Sequence, residues 1–427
     1  MADVEGRLRA AMESAVASEQ PPGNLIEVVR RRHRRHVRRA AAGWAASAVA
    51  IAGVAAAIPA GIEALGHGPP GGHRPAASAV YVLLQEKSTF EIVPISAAAH
   101  RPGPPIRGRT WEGDGSLAVT PDGKTLYNSA AFETTPISTA TNGPGKPIRV
   151  NGGLFAIDPD GKTAYAVGPT GRATGFGRIT VTPVNLATNR PGKPIRHLCP
   201  DPGSIIAFTP DGKTAYVTCP GPGTVIPVNT ATNTPGKPIP AGPSLSGIAI
   251  APDGKTAYFL GRNTVTGSEG TVTPVNLATN TPGQPIRIVS GTTALIAVSP
   301  DGKTVYVGSE GAVIPISTAT NTPGKPIRLP YGLPAEDIAF TPDGKTAYVA
   351  NAEGGPTGMV VPISTATSTP GQPIRVGAGT IIAISPDGKT LYAAASKKVV
   401  PISTATNTPG KPIRLPDGLP FQILATP

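Results

Sequence analysis

The sequence predicts an all-β fold built from repeated four-stranded units, and three observations carry that prediction. The phrase Pro-Asp-Gly-Lys-Thr recurs seven times, at Pro121, Pro159, Pro210, Pro252, Pro300, Pro342 and Pro386, and a Tyr follows each Pro by six residues. A period of forty-odd residues marks stacked supersecondary units, none of which can bury its apolar faces alone. Gly (52) and Pro (51) are abundant but stand at fixed offsets between short apolar runs, which is turn chemistry rather than the scatter of a disordered chain. Aromatics make up only 4%, so the core falls to Ala, Val, Ile, Leu and the periodic Tyr.

The N-terminal 77 residues stand outside the repeat. Val4, Leu8, Met12 and Val16 are four apart, the stripe of a short helix that Pro21 and Pro22 end, and Asn24 with Glu27 resembles a capping box for a second. Seven arginines fall within 30–39, beside the segment 40–62, which carries no charge. As a helix those residues reach roughly 35 Å, enough to cross a bilayer core. Arginines before the span and none close behind it predict a cytoplasmic N-terminus and an extracytoplasmic C-terminus. A cleaved signal peptide with small residues near 57–60 is the rival reading, against which the 39-residue head is long for an n-region. The expected organisation is a basic helical head (1–39), a transmembrane helix (40–62), a Gly/Pro-rich linker (63–77) and the repeat domain (78–427).

Within one repeat, four β-prone runs are separated by turns: Ile205 to Thr209, Thr214 to Thr218, Thr224 to Val228, and Lys237 to Pro240. Asp-Gly supplies the positive-φ residue of a tight hairpin and Pro sets its entry, so the unit reads as an antiparallel meander. A Pro inside the third run removes a ladder donor, which predicts a bulge or a strand end nearby. The third-strand mark Pro-(Ile/Val)-(Ser/Asn) and the fourth-strand mark Pro-Gly-x-Pro-Ile each occur eight times, one more than the first turn. The ends account for the difference. The first unit opens on a second strand, Ala79 to Val82, and the chain stops on a first strand, Ile423 to Ala425. One unit split between the termini is how a ring closes. A β-propeller is therefore expected, with eight blades by repeat count and seven as the alternative if one unit is degenerate.

These phrases, such as Thr-Pro-Asp-Gly-Lys-Thr-Ala-Tyr-Val-Thr and Val-Asn-Thr-Ala-Thr-Asn-Thr-Pro, resemble the YVTN family of β-propeller repeats of surface-layer and periplasmic proteins over residues 78–427. The resemblance implies that the first strand of each unit lines the central channel and the fourth lies outermost. It also implies an envelope location and little about chemistry. The chain departs from that family in the third strand, where Ser96, Asn185, Asn229 and Ser403 stand in place of Asp after an unusual Pro.

The turns joining strands one to two and three to four share one end of the ring and are nearly uniform. The loops joining strands two to three share the other end and vary, being long at 167–178 and 261–270 and short at 308–311. Irregular loops on a rigid ring are where recognition sits. Thr170, Arg172, Arg178, Arg262, Asn263, Glu269, Asn351 and Glu353 are the candidate recognition residues. At the uniform end Lys124, Lys162, Lys213, Lys255, Lys303, Lys345 and Lys389 share one phase, and Lys146, Lys193, Lys237, Lys325 and Lys411 another. They suggest anion binding, weighed against a solvated turn face in which each lysine of the first set follows an Asp by two residues.

No His/Asp/Glu cluster stands at metal spacing, and the repeats hold only His100 and His197. Asp158 and Asp337 are the only acids near channel-facing strands. No catalytic residue, metal or cofactor is therefore assigned, and no nucleic acid is expected despite the formal charge of +12. Cys199 and Cys219, the only cysteines, fall before the first strand and at the end of the second strand of one unit. They are expected to pair outside the membrane. The expected function is a membrane-anchored, monomeric binding or scaffolding propeller with a protein or envelope ligand as partner. The alternative is a lactonase-type enzyme with its site at the channel.

Overall fold

The computed structural model describes residues 79–426, apart from 87–88, 113–115, 131, 151–153, 170–177, 201–203, 263–268, 289–291, 333, 352–357 and 378. The expected head, membrane segment and linker lie outside the described residues. Among those residues no helix is long and apolar enough to cross a membrane.

Eight antiparallel sheets form a β-propeller, and they are numbered here as blades 1 to 8 in chain order. Blade 4 is representative, its strands running outward from Ile206–Phe208 through Thr214–Cys219 and Thr224–Asn229 to Thr234–Pro235 and Ile239–Pro240. The ring closes as the terminal phases require. Leu419–Ala425, the C-terminal strand, is the innermost strand of blade 1 and pairs with Ala79–Glu86, setting Val80 opposite Ala425, Tyr81 opposite Leu424 and Val82 opposite Ile423. Thr426 clamps this seam, its backbone N–H and hydroxyl both donating to the Ala79 carbonyl at 2.9 and 3.0 Å.

The third-strand proline has a specific place in this geometry. Pro227 sits inside Thr224–Asn229, opposite Tyr216, and its carbonyl accepts from Gly236 N–H at 2.7 Å. Between the pairs Val228/Pro235 and Val225/Ile239, two residues of the third strand face three of the outermost. That is a β-bulge, expected from the missing N–H but located in the neighbouring strand. Backbone N–H and C=O of one residue point to the same side of an antiparallel strand, so the donor Pro lacks would face the bulge, where no ladder acceptor waits. The same Gly-to-Pro bond recurs in all eight blades, and a Cβ on Gly236 would stand 3.1 Å from Pro227 Cγ, which keeps that position glycine.

The periodic tyrosines form the core between blades. Tyr81, Tyr127, Tyr165, Tyr216, Tyr258, Tyr306, Tyr348 and Tyr392 are all almost fully buried. Each reaches the following blade: Tyr127 stacks at 5.2 Å on Phe155, Tyr165 at 5.4 Å on Phe208 and Tyr306 at 5.6 Å on Phe340, all on the next innermost strand. A buried phenol needs a partner for its hydroxyl. Six of them donate to an Asn side chain in the next blade's turn before the outermost strand, as Tyr81 does to Asn142 at 2.8 Å and Tyr216 to Asn280 at 2.7 Å. Each of these asparagines has positive φ, Asn142 at 54° and Asn280 at 55°. A single residue type thus both tolerates the left-handed turn and presents the acceptor. In blade 7 the position is Ser368, whose shorter side chain gives the buried Tyr306 hydroxyl a weak interaction in place of the full hydrogen bond an Asn makes. In blade 1 it is His100, whose ring lies 6.1 Å from that of Tyr392.

Candidate recognition face at the variable end

The two ends of the ring differ in how their chemistry is used. At the uniform end each Asp of the repeated turn accepts its following Lys N–H, as Asp211 does from Lys213 at 3.1 Å. The hydroxyl that opens the turn donates to the same carboxylate, Thr209 to Asp211 at 2.6 Å, and this bond holds Asp211 below the usual carboxylate range. Thr341 does the same for Asp343 and Ser385 for Asp387. Hydroxyls of the three-to-four turn then donate to the Gly carbonyl of the one-to-two turn, Thr230 to Gly212 at 2.7 Å and Thr404 to Gly388 at 2.6 Å, so both turns do share one end. The Lys side chains reach back to their own Asp at 3.2 to 4.0 Å.

Asp158 occupies the hydroxyl position in blade 3. Burial pushes its carboxyl up to about 7, helped by the hydrogen bond it shares with Asp160, so its protonated form takes the place of the Thr hydroxyl found in neighbouring turns.

The variable end places the candidate recognition residues individually. Arg178 is exposed just before Ile179–Asn185 of blade 3. Arg262 ends Thr256–Arg262 of blade 5, where its backbone N–H donates to the Pro243 carbonyl at 3.1 Å. Burial pushes its guanidinium down and Glu310, on the neighbouring blade, opposes that shift. Glu269 pairs with Arg287 of the outermost strand at 3.2 Å. Asn351 is buried, with its Oδ1 accepting from Met359 N–H at 2.8 Å, so its side chain holds the base of the blade 7 loop. Thr170, Arg172, Asn263 and Glu353 lie outside the described residues.

The channel adds groups that repeat reading underweights. Asp337 opens the innermost strand Asp337–Phe340 of blade 7, and its carboxylate accepts from Ile338 N–H at 2.8 Å and, across to blade 8, from Ile382 N–H at 2.9 Å. Desolvation pushes it up to about 7 against those two hydrogen bonds. Gln422 plays a comparable part between blades 1 and 2, accepting from Leu117 N–H at 2.7 Å and donating to the Leu117 carbonyl at 3.0 Å. Asn128 of blade 2 is buried with neither amide atom partnered. Asp337 begins an innermost strand and Asp158 follows one, on blades 3 and 7, so the two acids stand at opposite ends of the channel and form no catalytic pair. Among the described residues no group of three or more His, Cys, Asp or Glu is placed to hold a metal ion.

Cys199 and Cys219 are joined in a disulfide with Cα atoms 5.3 Å apart. Cys199 ends Ile195–Cys199, the outermost strand of blade 3, while Cys219 ends the second strand of blade 4. The bridge therefore staples two blades rather than one unit to itself.

No family model and no curated protein matches the chain. Among solved structures it is similar to hydrazine synthase of Kuenenia stuttgartiensis, at TM-score 0.53 and 21% identity over 68% of this chain and 95% of that one. It is also similar to the dihydro-heme d1 dehydrogenase NirN, at TM-score 0.66 and 14% identity over 84% and 77%. AztD from Citrobacter koseri aligns at TM-score 0.58 and 13% identity over 82% and 98%. At these identities the likeness is one of fold alone.

Proposed function

We infer that the chain is a membrane-anchored, extracytoplasmic binding or scaffolding propeller of YVTN type, which recognises a protein or envelope ligand through its variable loops. The observation that carries this reading is the contrast between ends. Every Asp-Gly-Lys turn spends its polar groups on its own backbone, whereas the loops of blades 3, 5 and 7 differ in length and carry arginine, glutamate and asparagine at their feet. A rigid ring with irregular loops is a platform for recognition. The channel supports binding over catalysis, because Asp337 and Gln422 are spent on neighbouring backbone. The arginine run before the uncharged segment 40–62 supports the anchor and its orientation.

The test has two arms. A reporter fused to the C-terminus, active only outside the cytoplasm, checks orientation, and inactivity would refute it. Replacing 263–268 with a tight turn like that at 308–311, in a full chain that retains its melting transition, is expected to abolish capture of partner from the organism's own envelope. Undiminished capture would exclude that loop from recognition.

A further inference from the structure

The outer rim of the propeller carries a charge imbalance that the recognition loops do not use. The eight outermost-strand segments, 101–107, 143–149, 190–196, 234–240, 281–287, 322–328, 369–375 and 408–414, hold fourteen Lys and Arg and no Asp or Glu. Every one of those fourteen side chains is exposed. The placement follows from the strand itself. The bulge at Pro-Gly-x-Pro lets the following Ile pack against the blade and turns the cations flanking it to solvent, as in blade 2, where Ile148 is buried and Lys146 and Arg149 are exposed.

Neutralisation divides the two lysine sets. The turn lysines each face their own Asp within 4.0 Å, so that face is close to neutral. On the rim, Arg107 pairs with Glu91 and Arg287 with Glu269. Lys146, Arg149, Lys193, Arg196, Lys411 and Arg414 have no ion pair among the described residues. Nine of the fourteen cations lie on four consecutive blades, 8, 1, 2 and 3, which the terminal seam makes neighbours.

We propose that this rim binds a flexible linear polyanion of the phosphodiester or polyphosphate kind, laid along the edge of blades 8 to 3. Charge complementarity selects an anion: Lys-x-x-Arg pairs on blades 8, 2 and 3 (Lys411/Arg414, Lys146/Arg149 and Lys193/Arg196), with Arg101 exposed on blade 1 between them, offer cationic steps along the edge to a chain with one charge per unit. Curvature selects flexibility. The outermost strand lies only three strand spacings, roughly 15 Å, from the innermost strand that lines the channel. Duplex DNA, with a persistence length of about 500 Å, cannot follow the rim, and a flat bilayer touches it along a short arc. Binding of this kind releases counterions, so it weakens steeply with salt.

The experiment uses the full chain in detergent with labelled long-chain inorganic polyphosphate as probe. Binding is expected at low salt, with log K falling linearly against log salt. The variant Lys146→Gln, Arg149→Gln, Lys193→Gln and Arg196→Gln is expected to bind roughly tenfold or more weakly and to lose about 3 from the slope. The matched variant Lys124→Gln, Lys162→Gln, Lys213→Gln and Lys255→Gln removes the same charge from the turn face and is expected to change far less. All eight side chains are exposed, so both variants should keep the wild-type melting transition. Absence of polyphosphate binding, equal losses in the two variants, or equal or tighter binding to duplex DNA or phosphatidylglycerol vesicles would each overturn the proposal.

Discussion

At the scale of single residues, the fold depends on where polar atoms find partners. The Tyr-to-Asn latch closes a blade interface only because the Asn reaches a hydroxyl that burial has cut off from water. Asn233→Ala should leave Tyr165 unpaired, having lost a 2.5 Å bond, and cost about 1–3 kcal/mol, more if the left-handed turn resists Ala. Ser368→Asn should do the reverse and gain up to about 1 kcal/mol by replacing the weak Ser368 contact with a full hydrogen bond to Tyr306. Urea unfolding of the two variants against wild type reads both signs. The Asp158 carboxyl provides a second residue-scale test. Its folded value of about 7 lies above the ordinary 3.8, so the folded state holds a proton the unfolded state releases, and stability falls as pH rises between those values. Asp158→Thr should therefore be more stable than wild type above pH 7, with the difference shrinking as pH falls toward 4. Thermal unfolding across that range would show lines that converge as pH falls, and parallel lines would contradict the assignment.

At the scale of elements, the prolines and cysteines show what the one-dimensional pattern hides. The bulge was legible because Pro in a strand demands one, yet its strand was not, since either partner of a ladder can carry the extra residue. The disulfide was legible as a pair, but unit boundaries drawn by sequence phase put both cysteines in one unit. Cys199 follows the bulge on the outermost strand of blade 3, and only strand pairing assigns it there. Because the bridge crosses a blade interface and closes a loop of 20 residues, removing it with Cys199→Ser and Cys219→Ser should cost about 3 kcal/mol. Denaturant midpoints with and without reductant measure this, and reductant should lower the wild type but leave the double variant unmoved.

At the scale of the whole molecule, the seam between the termini decides whether the ring exists. Deleting 419–427 removes the innermost strand of blade 1 and leaves Ala79–Glu86 with an open edge facing the channel. Such a chain is expected to lose its single cooperative transition and to self-associate, which calorimetry and size-exclusion chromatography would detect. A sharp transition and a monomeric profile would mean the ring closes without the seam.

Repetition by itself determined the class, the blade count and the closure, because each turn and strand mark is a local requirement of backbone chemistry and can be counted along the chain. It also separated a uniform end from a variable one. What the tertiary structure alone decided is which side chains meet: that the asparagine of one turn satisfies the tyrosine of the preceding blade, that Asp158 and Asp337 stand at opposite ends of the channel, and that the turn lysines are neutralised while on the rim only Arg107 and Arg287 are paired among the described residues. Those contacts join residues some sixty or more apart, or separate residues of the same phase. They follow from how blades rotate about a common axis, which a pattern read along one chain does not contain.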